Sequence, residues 1–129
     1  VCTLKTKILQ IRKVSASDTV GYSRKGVLKR DSIIGAIPIG YADGLRRELS
    51  NKGKVIVNGK ITHIIGNVCM DSCMIDVTDI EGVKEGDEVV IFSPIAGNTP
   101  EDMAEVLGTI SYEIITSVSA RVKRIYVRE

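Results

Sequence analysis

The sequence predicts a mainly β fold, a small β-barrel or sandwich with one or two short helices, and three observations carry that reading. Short β-branched runs recur with turn residues between them, the pattern of an all-β domain. Asn58-Gly59 stands between two such runs and supplies the positive φ angles of a type I′ hairpin. Only one stretch, "TPEDMAEVLG", carries the full punctuation of a helix.

Taken in order, "LKTKILQIRKV" (Leu4 to Val14) mixes apolar residues with lysine and threonine, as a half-exposed strand does. "IIGAIPI" (Ile33 to Ile39) reads as a buried strand, and Pro38 places it at an edge or a bulge. "KVIVNGKITHII" (Lys54 to Ile65) is the hairpin. "NVCMDSCMIDV" (Asn67 to Val77), "DEVVIF" (Asp87 to Phe92) and "ARVKRIYV" (Ala120 to Val127) are each strand-like. In the helix, Thr99 is the cap, Pro100 fits the first turn where its missing N–H is harmless, Asp102 completes a capping box and Gly108 is the stop. A second helical turn starts at Ser111 and runs through "YEIIT".

Length and composition narrow the function. A chain of 129 residues with 43% hydrophobic content is one domain with a core that buries about two thirds of the unfolded surface. The formal charge of +2 leaves no electrostatic footprint for nucleic acid or an anionic membrane. The apolar runs are far too short to span a bilayer, and "VCTLKTK" has no signal-peptide layout, so a cytoplasmic protein is expected. The chain begins at Val1, as a piece cut from something longer would. Cys2, Cys69 and Cys73 form no C-x-x-C pair and His63 is the lone histidine, so neither a disulfide framework nor a metal site is indicated.

The candidate chemistry sits on tyrosines. "GYADG" sets Tyr41 and Asp43 between Gly40 and Gly44, and Tyr22 lies between Gly21 and Ser23. Glycines let a partner approach the backbone closely and leave a phenol presented at a strand end; a turn with a tyrosine packed over it uses the same residues. A free phenol ionises only near pH 10, so the cation that would hold one as a base near neutrality has to come from outside this chain. In "CMDSCM", strand alternation would put Asp71 on one face with Cys69 and Cys73, and a carboxylate on an apolar face needs a partner or a solvent cavity. Tyr112 opens the second helix, where a phenol can reach an anion or can simply cover the helix base. Arg46 and Arg47 read as solvated charges.

Together these stretches resemble the C-terminal domain of alanine racemase, a pyridoxal-phosphate enzyme that interconverts L- and D-alanine for the bacterial cell wall. "VGYS", "IGYADG", the "VNGK" hairpin, "GNVCMD", and "TISYE" with "RVKRIYV" occur in the family's order and cover nearly the whole chain. The resemblance implies that residues 1–129 are one such β domain. In the family it follows an N-terminal α/β barrel, which carries the lysine that holds the cofactor. It also implies a head-to-tail homodimer in which the β domain of one subunit completes the other's active site, and a chain that is inactive alone.

Carried over by position, Tyr22 matches the catalytic tyrosine that acts opposite the lysine. Tyr41 matches a tyrosine of the substrate corridor and Arg47 an arginine of the same corridor. Met70, through its backbone N–H, matches the group that holds the substrate carboxylate, and Asp71 lines the way in. Tyr112 matches the tyrosine that bonds the cofactor phosphate and narrows the pocket. The family often has glycine where Ser23 stands and arginine where Asn67 stands. The "GYSRKG" wording also resembles racemases fused behind a cell-wall ligase. Two other classes fit a small β domain, a stand-alone binding module and a structural dimerisation domain; 4% aromatic content and +2 charge argue against an oligonucleotide binder.

Overall fold

The computed structural model of the protein describes residues 2–17, 19–20, 26–94 and 98–126. Among these residues nine strands form: β1 (Leu4–Lys7), β2 (Gln10–Val14), β3 (Thr19–Val20), β4 (Gly26–Val27), β5 (Ser32–Ile37), β6 (Lys54–Val57), β7 (Lys60–Ile65), β8 (Cys73–Asp76) and β9 (Glu88–Phe92). Seven of them make one antiparallel sheet in the order β1-β9-β6-β7-β8-β5-β2, while β3 pairs only with β4. The predicted mainly β architecture with short helices is what the chain adopts.

The sheet is curled, and the chain itself explains why. The outer strands β1 and β2 are separated in sequence only by Ile8 and Leu9. A flat seven-stranded sheet would hold its outer strands about 29 Å apart, whereas the link from Lys7 to Gln10 reaches roughly 10 Å. The two ends of the sheet therefore come round to meet at Ile8–Leu9. Ile8 donates its N–H to Asp87 O (3.0 Å) and accepts from Gly86 N–H (2.8 Å) on the β9 side, and Leu9 N–H goes to Ala36 O (2.8 Å) on the β5 side. Ile8 points into the core and Leu9 out to solvent. The single strand expected over Leu4 to Val14 is thus two strands, broken where the chain changes sheet edge.

Period-two alternation fills the interior. Val55 and Val57 of β6, Ile75 of β8, Val89 and Ile91 of β9 and Ile37 of β5 all have essentially no exposed surface, as inward positions of neighbouring strands must. The hairpin forms as predicted, with Asn58 at φ 50° and Gly59 at φ 77°, the left-handed pair that a type I′ turn requires. β5 lies between β8 and β2 rather than at an edge. It ends at Ile37, so Pro38 falls outside the ladder, where its missing N–H costs nothing.

Helix α1 (Pro100–Leu107) is capped as its sequence specifies. Asp102 N–H donates to Thr99 Oγ1 (3.1 Å), Thr99 N–H donates to Asp102 Oδ2 (3.0 Å), and Gly108 closes the helix in the left-handed region. Met103 and Ala104 seal one end of the core, and Ile114 of α2 (Ser111–Thr116) joins them. Two strand expectations fail. Of Asn67 to Val77 only Cys73–Asp76 is a strand, and residues 120–126 form a turn followed by irregular chain that pairs with no strand among the described residues. "ARVKRIY" has strand alternation but joins no ladder among the described residues.

Candidate active-site face

Three loops meet at one end of the sheet. After β5, Tyr41–Asp43 form a single 3-10 turn. Tyr41 N–H donates to Cys69 O (2.9 Å) and Ala42 N–H to Met70 O (3.0 Å), so the turn is bonded to the segment preceding β8. Gly40 makes this approach feasible. Its φ of −149° is open to any residue, but a Cβ there would collide with the carbonyl oxygens of Cys69 and Met70. On the other side, Ser119 N–H donates to Asp43 O (3.0 Å), which ties in the segment after α2.

Asp43 is the hub. It is buried, accepts Gly40 N–H at Oδ2 (3.0 Å), and meets Arg121 Nε at Oδ1 (2.7 Å). The same guanidinium reaches across to Asp71 Oδ1 through Nη2 (2.7 Å). These two carboxylates strengthen Arg121's hold on its proton, the hydrogen bond to Asp71 foremost. Asp71 is exposed in the loop before β8, so the expected carboxylate on an apolar strand face does not exist. Strand pairing starts only at Cys73, and Asp71 turns outward to its partner.

A second strut joins the turn to α2. Arg46 Nη1 meets Glu113 Oε1 (2.6 Å), and Nη2 lies 3.7 Å from Glu48 Oε1. Glu113 also accepts the Thr109 hydroxyl (2.8 Å). That hydroxyl first, and Arg46 second, hold the Glu113 carboxyl below its ordinary range. Arg46 is thereby half-buried rather than simply solvated, while Arg47 next to it is exposed.

The loops present unusual surface. Tyr41 is 44% exposed, Met70 54% and Tyr112 75%. Neither the Tyr112 hydroxyl nor the backbone N–H of Met70 has a partner among the described residues. The structure thus joins the segments of Tyr41 and of Met70–Asp71, through Tyr41 N–H to Cys69 O, Ala42 N–H to Met70 O and the Arg121 bridge, and links the segments of Arg47 and Tyr112 through Arg46–Glu113. Tyr22 lies between β3 and β4, outside the described residues. A cavity of about 460 Å³ between β6, β7 and α1, with Lys54, Ile61, Asn98 and Met103 among its walls, is lined by none of these residues. Cys73 is buried, and burial pushes its thiol up to about 12, so it is no nucleophile near neutrality.

Arg121, Asp43 and the Arg46–Glu113 pair escaped the sequence reading as site residues. The glycine-flanked Asp43 was visible, but nothing in spacing links it to an arginine so far along the chain.

The model of the alanine racemase C-terminal domain family matches residues 1–126. This chain belongs to that family. Alanine racemase 1 of Clostridium acetobutylicum is 48% identical over 130 residues, covering 99% of this chain and 34% of that protein. Alanine racemase 2 of Caldanaerobacter subterraneus subsp. tengcongensis is 50% identical over 125 residues, 95% of this chain and 32% of that protein. Among solved structures, the alanine racemase of Bartonella henselae with covalently bound pyridoxal phosphate superposes with a TM-score of 0.91 at 39% identity, over 97% of this chain and 34% of that one. The alanine racemase of Clostridium difficile 630 gives 0.90 at 36% identity, over 97% and 32%. The chain spans about a third of the length of the relatives it matches. The curled sheet with two short helices is the fold of the family's C-terminal domain. No helix among the described residues is long and apolar enough to cross a membrane.

Proposed function

We propose that this chain is the β half of an alanine racemase and completes an active site whose cofactor is held by an N-terminal barrel, in a head-to-tail homodimer. The carrying observation is the loop face. Exposed tyrosines, a backbone donor with no partner among the described residues and an ion-paired frame are gathered there, in a chain whose relatives are alanine racemases. The group those relatives imply fits this face on one side only. Tyr112 offers an exposed phenol with no partner among the described residues, suited to one phosphate oxygen, and the remaining contacts belong to the barrel.

Pyridoxal phosphate, when bound, makes the substrate's α-proton removable by drawing electrons from the α-carbon. This chain's residues do the rest on their side. Met70 N–H holds the substrate carboxylate, which fixes the direction in which the α-carbon is presented. Tyr22 gives or takes the α-proton at its phenol oxygen, on the face opposite the barrel's base. Racemisation needs a proton donor on each face, and a second subunit supplies the second face. Tyr41 and Arg47 line the corridor, and the ring of Tyr112 limits the space for the side chain to about a methyl group.

In the full-length protein, Tyr22→Phe should lower racemisation by about 10²–10⁴-fold, the usual contribution of a positioned acid–base group, with the bound cofactor's absorbance unchanged. Equal turnover of mutant and wild type in both directions would make Tyr22 structural and the domain a dimerisation module. This chain alone should neither racemise alanine nor give a borohydride-stable cofactor adduct; a stoichiometric adduct with turnover overturns that part.

A further inference from the structure

Arg121 joins two carboxylates of opposite character. Asp43 is buried and fixed by Gly40 N–H, whereas Asp71 is exposed and directly follows Met70. The guanidinium spans them with one nitrogen each, Nε to Asp43 and Nη2 to Asp71, both at 2.7 Å. Around the bridge, the turn holding Asp43 is bonded to Met70 O through Ala42 N–H (3.0 Å) and to Ser119 through Asp43 O (3.0 Å). An exposed ion pair alone would contribute little, but this one is anchored on a buried, hydrogen-bonded carboxylate. A planar fork presents two nitrogens in fixed directions to two acceptors, whereas an ammonium must serve both from one nitrogen.

Two consequences follow for an anion approaching Met70 N–H. Without compensation, the adjacent Asp71 charge would repel a carboxylate only one residue away, and like charges at such range interact strongly where water is partly excluded. With Arg121 in place, one of the two carboxylate charges is offset, Asp71 is drawn toward Asp43, and the Met70 segment is held on the turn. We propose that Arg121 is a positioning residue whose bridge from Asp43 to Asp71 keeps the Met70 loop shaped and electrostatically open for the carboxylate of an α-amino acid. The proposal rests on the assignment of the substrate carboxylate to Met70 N–H.

The test uses the full-length protein, with alanine racemisation measured in both directions and binding of propionate, the substrate's frame without its amine, followed by calorimetry. Arg121→Ala should raise KM for alanine and weaken propionate binding by about tenfold, the scale of a lost hydrogen bond to a charged group, with kcat falling less. Arg121→Lys, which keeps the charge and is the more certain to fold, should recover part of the loss and not all. Asp71→Asn in the Arg121→Ala background should bring KM back to within about threefold of wild type by removing the uncompensated charge. The proposal is overturned by an Arg121→Ala KM within about twofold of wild type, or by a double variant no better than Arg121→Ala. Wild-type protein that does not racemise alanine sinks the functional reading and this proposal with it, whereas active wild type with unmoved constants in Arg121→Ala sinks this proposal alone.

Discussion

The hairpin and core strands on one side, and the loop face on the other, are held by different physics. Val55, Val57, Ile75, Val89 and Ile91 are fixed by burial within the strand ladders, each inward by strand alternation. Tyr41, Met70 and Tyr112 stay largely exposed, and what fixes their segments is a handful of backbone bonds and two arginines, Arg121 and Arg46. The core buries its apolar residues, while the face leaves Tyr41, Met70 and Tyr112 at the surface. The domain therefore separates what keeps it folded from what makes it useful, and substitutions should separate the same way.

The largest expected effect is on the core. Ile75→Ala should cost about 2–5 kcal/mol of unfolding free energy, read as a lowered denaturation midpoint, because Ile75 has no exposed surface. Activity of the surviving folded full-length protein should stay near wild type. A low activity at full folding would break the comparison by showing that core and face are coupled.

Next comes Gly40→Ala, which should cost about 1–3 kcal/mol as an overpacked contact, since the new Cβ meets two backbone oxygens. In contrast to Ile75→Ala, KM for alanine in the full-length protein should rise at temperatures where the protein is folded. An unchanged KM would mean that the turn does not shape the Met70 segment.

The smallest effect is carried by two cysteines four positions apart. Cys69 is partly exposed on the face and Cys73 is sealed in the core. Iodoacetamide should modify Cys2 and Cys69 in the folded chain and Cys73 only on unfolding, as peptide mapping would read. The pH consequence follows from the Cys73 thiol rising from 9.0 to about 12 on folding. Above pH 9 the unfolded chain sheds a proton that the folded chain keeps, so this site's contribution to stability falls as pH rises, by roughly 1 kcal/mol at pH 10. A Cys73→Ala variant with the same alkaline slope as wild type would remove the assignment.

The sequence displayed the half of the molecule that burial organises. The Asn58-Gly59 hairpin, the Thr99–Asp102 capping box and the β9 run were readable because each is local, with cause and consequence a few residues apart. The face was readable only by resemblance. Asp71 was misplaced because "CMDSC" alternates like a strand, and what stops the strand before Cys73 is the turn at Gly40–Asp43 occupying Cys69 O and Met70 O. Arg121 pairs across 50 positions with Asp71, a distance no periodicity spans. "ARVKRIY" was misread for the complementary reason: a strand needs a neighbour as well as a pattern, and these residues pair with no strand among those described, while the two ends of the sheet come round to meet at Ile8–Leu9.

That closure sets an order of events on the ribosome. β1 has one partner in the sheet, β9, and on the order of 80 residues must be added between them, which takes about 4–16 s at typical rates of synthesis. During that interval the first strand is an unpaired edge, the kind of segment that recruits strands from other nascent chains. Its sequence, Leu4-Lys5-Thr6-Lys7, carries two lysines, and charges on an open edge discourage such pairing. Once β9 arrives, Lys5 finds Glu88 at 3.3 Å. The side chain that guards the strand while it waits becomes part of the joint that ends the waiting.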